Sequence, residues 1–369
     1  MMTIDKPGIC HSILTTAVGI GLGFVTSAFA QEAYLLDMST KKVTELGTLG
    51  GDSSEAIGIN AAGQVVGRSV TAAGQRHAFI TGPNGVGMTD LGTLGGNESG
   101  ASGINAAGQV VGYSYTTTDD YHAFITGPNG VGMTDLSTLP GWTNSAAIGI
   151  NDAGQVVGNS GYYRSFITGP NGVGMTDLGT LGGTYSQAYG INAAGQVVGI
   201  SGTGDGQYHT FITGPNGMGM TDLGTLLAGV ERGGISAAGQ VAGDSADYTH
   251  AIISGSNGVG MTDLGLGGDF SLFENINAAG QVVGEANTAA GQRHAFVTGP
   301  NGMGITDLNL LVGLPAGGLY EATAINNTGQ LIAINIFPPP VPEPQTYALM
   351  LAGLVLTGGM VRRKQLMRG

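Results

Sequence analysis

Cysteine is almost missing: the 369-residue chain has one, Cys10. It lies in an N-terminal apolar segment, so the body of the protein has no disulfide, no reactive thiol and no cysteine metal ligand. Charge is also scarce. Asp, Glu, Lys and Arg make up 10% of the residues, against about 25% in an ordinary soluble domain. Disordered tails pair high charge with low hydrophobicity, and here the hydrophobic share is 41%. Basic residues are few: 12 Lys and Arg face 25 Asp and Glu, for a net charge of −13. With no basic patch for phosphate contacts, nucleic acid is not an expected partner. There is one tryptophan, Trp142, and aromatic residues reach only 6%. Long apolar runs are missing too. Ile13–Val25 and Tyr347–Val361 are both uncharged but short for a hydrocarbon core of about 30 Å.

What is abundant is glycine, with 70 residues or 19%, where about 7% is usual. Collagen would need glycine at every third position, and stretches such as GINAAGQVVG break that rule. Strand-and-turn structure, with glycine at the bends, is what remains.

The two ends read as sorting segments. Lys6, the apolar run and the small residues Ala28 and Ala30 form a secretory signal cut before Gln31 by signal peptidase, giving a signal over residues 1–30. At the other end comes a proline-rich linker, residues 337–345, with Val341-Pro342-Glu343-Pro344. A short apolar helix and the basic tail Arg362-Arg363-Lys364 follow within residues 346–369. These basic residues would stay cytoplasmic. This three-part ending resembles the PEP-CTERM sorting signal of Gram-negative bacteria. The resemblance implies recognition and cleavage near Pro-Glu-Pro by an exosortase, a membrane protease, with the body placed at the cell surface or in the extracellular matrix. An ordinary single-span anchor is the other reading of the same residues. Between the ends, residues 31–344 carry 24 acidic and 7 basic side chains, a net −17.

Two patterns recur seven times. Gly-Ile-Asn-Ala-Ala-Gly-Gln-Val-Val-Gly has its Asn at 60, 105, 151, 192, 277 and 326, with Ser236 in a degraded copy. His-Ala-Phe-Ile-Thr-Gly-Pro-Asn-Gly-x-Gly-Met-Thr-Asp-Leu has its Asp at 90, 135, 177, 222, 263 and 307, with a divergent first copy at Ala33–Leu46. The period is about 43 residues, and each unit offers four short strands rich in β-branched residues and Phe. Pro-Asn-Gly supplies a tight hairpin turn. Four strands at this period predict a seven-bladed, all-β propeller of four-stranded antiparallel blades over residues 31–336. A parallel β-helix is the runner-up. With Gly-Ile-Asn innermost, the chain starts with two outer strands and ends with two inner ones, so its two ends should complete one blade. The unit resembles the HAF family of extracellular repeats through His-Ala-Phe at 77–79, 122–124 and 294–296. That resemblance brings no catalytic residues.

Up-and-down topology places all the length-variable loops on one face. They hold Tyr115, Asp119, Asp120, Tyr121, Trp142, Tyr162, Tyr163, Arg164, Tyr185, Tyr208, Asp247, Tyr248, Phe270 and Phe273. Aromatic rings beside carboxylates suit a polysaccharide, because rings stack on sugar C–H faces and carboxylates accept hydroxyl hydrogens. A surface-protein ligand is the other fit. Packing plugs and drifting loops account for such residues equally well. The candidate site is Trp142, Asp119, Asp120, Tyr121, Tyr162, Tyr163, Arg164 and Tyr185, with Trp142 as the best probe. Five histidines (His77, His122, His209, His250, His294) share one repeat position. Spread around a ring, they are too far apart for one metal, and one Asp per blade does not make a calcium cage. Strand-start hydrogen bonding is expected for the histidines and turn bonding for the aspartates. No cofactor is expected, and no Ser-His-Asp set or phosphate loop stands out. The expectation is a monomeric, non-catalytic binding or structural protein. A propeller-based polysaccharide lyase or hydrolase, needing two carboxylates about 5–10 Å apart, is the alternative.

Overall fold

A computed structural model describes residues 32–161, 163–225, 233–245, 249–310 and 318–335. Seven four-stranded antiparallel sheets follow one another around a ring. Blade 1 runs, from the axis outward, Gly50–Ile59, Val65–Thr71, Arg76–Thr81 and Met88–Asp90. Blade 2 is Gly95–Ile104, Val110–Thr116, Tyr121–Thr126 and Met133–Ser137; blade 3 is Ser145–Ile150, Val156–Ser160, Arg164–Thr168 and Met175–Asp177. Blade 4 is Gly182–Ile191, Val197–Thr203, Tyr208–Thr213 and Met220–Asp222; blade 5 is Gly233–Ile235, Gln240–Asp244, Ala251–Ser256 and Met261–Leu264. Blade 6 is Gly267–Ile276, Val282–Thr288, Arg293–Thr298 and Ile305–Asp307. Blade 7 takes its inner strands, Glu321–Ile325 and Gln330–Asn335, from the end of the chain, and its outer ones, Glu32–Asp37 and Lys42–Glu45, from the start. Leu36 pairs with Leu331 and Ala33 with Ile334, which is the two-plus-two closure expected from the phase of the repeat. The sequence unit is therefore offset from the blade by two strands. The helices expected at the two ends lie outside the described residues.

Strands form where Val-Val and Ala-Phe-Ile alternate, and the core is made where facing blades bury them. Val65, Val66, Phe79, Val110, Val111 and Phe124 are fully buried. Each buried Phe pairs across the sheet with the glycine that ends Val-Val-Gly, as Phe124 does with Gly112. A Cβ on Gly112 would lie 2.0 Å from the Gly100 carbonyl oxygen. Glycine is needed there because the inner strand bulges toward it, between Ala101 and Gly103. The inner strands of blades 1, 2, 4 and 6 are ten residues long, because the Gly-Gly expected to open a loop is already paired.

The Pro-Asn-Gly turns work as anticipated. Asn84 has φ +54 and Gly85 φ +73, the left-handed region that Asn and Gly accept most readily. The turn then docks on the neighbouring one, with Asn84 N–H donating to the Ala62 carbonyl and Gly85 N–H to that of Gly63.

The Asn of Gly-Ile-Asn ties the ring together. Its carboxamide is buried and uses all four hydrogen-bonding positions. In Asn60, Oδ1 accepts from Ala62 N–H (3.1 Å) and Gln64 N–H (3.0 Å). Its Nδ2 donates to Gln64 Oε1 (2.8 Å) and, across the blade boundary, to the Asn105 carbonyl (3.1 Å). The same link runs from Asn105 to Asn151, Asn151 to Asn192, Asn192 to Ser236 and Asn277 to Asn326. Asn326 then reaches the Asn60 carbonyl at 2.9 Å and closes the belt. Blade 5 has Ser236 instead of Asn, and there the Ala237 N–H reaches the Ala278 carbonyl at 3.2 Å.

Asn105→Ala removes four bonds and orphans buried partners, so it should cost about 3 kcal/mol and lower the melting temperature. Ser236→Asn supplies the one missing amide. It should raise stability by about 1 kcal/mol, read as a higher melting temperature in the same scan.

Candidate functional site

Strand direction sorts the loops. The turns after the first and third strands of each blade lie on one face and carry the near-constant Asn-Ala-Ala-Gly-Gln and Gly-Pro-Asn-Gly sequences. The second hairpin of each blade and the links between blades lie on the other face, and these are the variable segments. The first and last described residues pair, Glu32 with Asn335, so the described chain enters and leaves on the variable face.

Four aromatic rings form a row there. Trp142, in the link into blade 3, lies 5.9 Å from Tyr163, in the second hairpin of that blade. Tyr163 lies 6.3 Å from Tyr185 and edge-on to it. Tyr185, on the inner strand of blade 4, lies 5.4 Å from Tyr208 at the start of that blade's third strand. The Tyr185 hydroxyl donates to Gln187 Oε1 at 2.5 Å. Gln187 also lines the central cavity of about 770 Å³, together with Glu55, Glu274 and Glu321. Through Tyr185 and Gln187 the row is tied to the lining of the channel. A second cluster sits on blade 2, where Tyr121 is 6.3 Å from Tyr113 and 5.9 Å from Tyr115.

Several candidate residues have structural work on this face. Trp142 is half-buried against the blade 3 core and lies flat on Gly161, where a Cβ would come within 2.0 Å of the indole. It is partly a packing plug, whereas Tyr163 and Tyr208 are 52% and 51% exposed. Arg164 occupies the histidine position of its blade and pairs with Asp177 at 3.6 Å. Asp119 has φ +64 in the tip of the blade 2 hairpin, and the neighbouring Asp120 accepts from the Thr118 hydroxyl at 3.4 Å. Phe273 is not a loop residue: it is 2% exposed in the core of blade 6. Phe270 packs under the Arg293 guanidinium at 4.7 Å, with Tyr320 at 5.1 Å on the same cation. Tyr162, Asp247 and Tyr248 lie outside the described residues, as do Val341–Pro344 and Arg362–Lys364.

The repeated histidines and aspartates are partners. His77 Nδ1 lies 2.8 Å from Asp90, and the same pairing joins His122 to Asp135, His209 to Asp222, His250 to Asp263 and His294 to Asp307. Most of these aspartates also hold the turn that follows, as Asp222 does through Gly224 N–H at 2.7 Å. The constant spacing of 13 residues, and the cation retained at Arg164, are the sequence signals of this pair. Among the described residues, no three His, Cys, Asp or Glu side chains converge as a metal site would require.

Residues 340–364 match the PEP-CTERM protein-sorting motif. That motif is of the kind that exosortases process. The motif sorts proteins to the cell surface or beyond in Gram-negative bacteria. No curated protein sequence matches the chain. Among solved structures, the chain is similar to a prolyl endopeptidase, with TM-score 0.54 and 10% identity over 75% of this chain and 46% of that one. The chain thus spans less than half of that enzyme. It is also similar to the β-propeller domain of the Trilobed protease from Pyrococcus furiosus (TM-score 0.50, 10% identity, 77% and 90% covered). A third likeness is to oligogalacturonate lyase in complex with manganese (TM-score 0.50, 11% identity, 72% and 81% covered). At these identities the likeness shows the propeller fold alone.

The His209 hydrogen bond, and then the Gly224 N–H, hold the Asp222 carboxyl below its ordinary value. A carboxyl lowered in the folded state adds stability above its unfolded value of about 4, and that stability is lost as pH falls through the folded value. Asp222→Asn should therefore melt earlier than the parent at neutral pH. The two melting curves should converge as pH falls through the lowered folded value, as read by thermal scans across pH.

Proposed function

We propose that this protein is a non-catalytic surface propeller of the HAF-repeat type that binds polysaccharide of the extracellular matrix through its variable-loop face. The row Trp142–Tyr163–Tyr185–Tyr208 carries the reading. Rings at successive spacings of 5.4–6.3 Å offer edges and faces to several sugar units of one chain. Aromatic side chains combine large apolar area with a polar tip, which suits a ligand with hydrophobic C–H faces and many hydroxyls. Asp205, in the blade 4 hairpin before Tyr208, is held below its ordinary carboxylate value by the Thr203 hydroxyl and stands ready as an acceptor. A matrix role agrees with the sorting motif, which directs proteins to the cell surface or beyond.

The closeness of the copies favours binding over catalysis. An enzyme needs one blade to differ by a convergent acid and base, and Asp119 and Asp120 sit together in one exposed hairpin, apart from the ring row. Turnover of a polysaccharide by the purified protein would replace this reading with the lyase or hydrolase one.

Binding to a glycan array by the purified protein is the direct test. Tyr208→Ala and Tyr163→Ala should each weaken a retained glycan by about tenfold, or 1–2 kcal/mol, with the melting temperature nearly unchanged. Trp142→Ala should lower both affinity and stability, because the indole also fills the space over Gly161.

A further inference from the structure

Blades 1 and 6 contain the same second hairpin. Thr71–Phe79 and Thr288–Phe296 share one nine-residue sequence, Thr-Ala-Ala-Gly-Gln-Arg-His-Ala-Phe. Both start the third strand with an arginine, Arg76 opposite Val70 and Arg293 opposite Asn287. The surroundings of the two guanidinium groups differ. Arg293 lies 4.7 Å from the Phe270 ring and 5.1 Å from the Tyr320 ring, and it bonds to the Tyr320 hydroxyl. It also pairs at 3.3 Å with Glu285, whose side chain is only 6% exposed. Blade 6 and its neighbour thus give this arginine a carboxylate and two apolar ring faces.

In blade 1 the strand register sets Ser53 at the Phe270 position and Arg68 at the Glu285 position. Ser99 of blade 2 stands where blade 7 has Tyr320. Two small hydroxyls and a second cation replace the rings and the carboxylate. Blade 1 has a cavity of about 230 Å³ here, and its polar lining is Ser53, Ser54, Glu55, Arg68, Ser69 and Arg76. Most of these groups are already used. Glu55 pairs with Arg68 at 2.7 Å, and the Ser54 and Ser69 hydroxyls donate to the carbonyls of Gly47 and Ser53. Arg76 is the exception. Arg68, Arg164 and Arg293 each have a carboxylate partner, whereas the Arg76 guanidinium has no ion pair or hydrogen bond among the described residues. Because Glu55 cancels Arg68, the cavity keeps the positive charge of Arg76.

We infer that the blade 1 cavity binds a uronic-acid unit of an anionic polysaccharide, with the sugar carboxylate on Arg76. The ligand supplies in blade 1 what Glu285 and the two rings supply in blade 6: a carboxylate on a compact body with an apolar face. A uronate has that form. Its planar carboxylate matches the guanidinium fork, and its ring carries C–H bonds on a face. The inference rests on the polysaccharide reading and narrows its ligand to an acidic chain. Arg76 holds the position just before the repeated histidine, as Tyr121, Tyr163 and Tyr208 do in the next three blades. The charged site therefore extends the line of tyrosines on the variable face by one blade. The body is acidic, but at physiological salt exposed charges more than about 8 Å apart are largely screened, and the contact at Arg76 is direct.

The test titrates the full chain, in mild detergent, with mannuronate and galacturonate hexasaccharides, each beside its carboxyl-reduced counterpart. At least one uronate should bind, and its reduced form should bind about tenfold more weakly or worse. Hexaglutamate, which has carboxylates but no sugar face, should be equally weak. Arg76→Gln should weaken the uronate about tenfold and leave the melting temperature unchanged. Ser53→Phe with Glu55→Leu and Arg68→Glu copies blade 6, and it should remove the preference for the uronate although Arg76 is still present. Arg293→Gln should lower the melting temperature and leave uronate affinity unchanged, because that cation is satisfied within the protein. Equal binding of the reduced sugar or of hexaglutamate, retention of neutral glycans alone, or a uronate affinity indifferent to Arg76→Gln would overturn the inference and leave the polysaccharide reading standing. No binding of any glycan, charged or neutral, would overturn both.

Discussion

The asparagine belt is the constraint on which the rest of the ring depends. A propeller blade is held on its edges by side-chain packing, and packing alone leaves neighbouring blades free to slide. A buried carboxamide that uses both lone pairs and both N–H groups has one allowed position, and six of the seven first turns hold one. Gln64 extends the same logic, since its Nε2 reaches Asn129 of the next blade at 3.3 Å, and Gln330 reaches Asn84 at 2.9 Å. Net worth per bond is about 1 kcal/mol, yet leaving such an amide unpaired costs more than the bond contributes. The ring is thereby penalised for any opening between blades.

This constraint divides the molecule into two faces with different freedom. Turns that carry the belt must keep Asn, Gly and Gln, and the Pro-Asn-Gly turns docked on them keep their left-handed Asn. Hairpins on the other face answer only to strand spacing, so they vary and collect Trp142, Tyr163 and Tyr208. The low charge of the chain has the same origin: strands are buried on both faces, and turns are built from groups that bond the backbone. Entry and exit of the chain on the variable face follow from the closure of blade 7, because its second strand ends and its third begins there.

Much of this was legible in the residues. Seven copies, Asn-Gly turns and a chain beginning in mid-unit imply a ring closed by its own ends, since each blade needs four strands and has a fixed phase. The single face of variable loops followed from antiparallel topology. The His–Asp pairs were harder. Each residue looked self-sufficient, and only the three-dimensional return of the fourth strand brings His209 within 2.8 Å of Asp222. Arg164 read as a ligand-binding cation because its repeat partner Asp177 was read as a turn residue. Phe273 looked like a loop aromatic because its strand begins earlier than the Gly-Gly signal suggests.

The sequence by itself determined the number of blades, the closure and the address. Those properties are written in local turn chemistry, strand periodicity and a short linear motif. Tertiary structure alone decided which residues are neighbours across blades: the belt links positions 41–49 residues apart, and the aromatic row joins two blades and the link that precedes them. A repeat states what each unit contains, while the angle between units determines what meets at their boundary. That angle is set by packing, which no local pattern records.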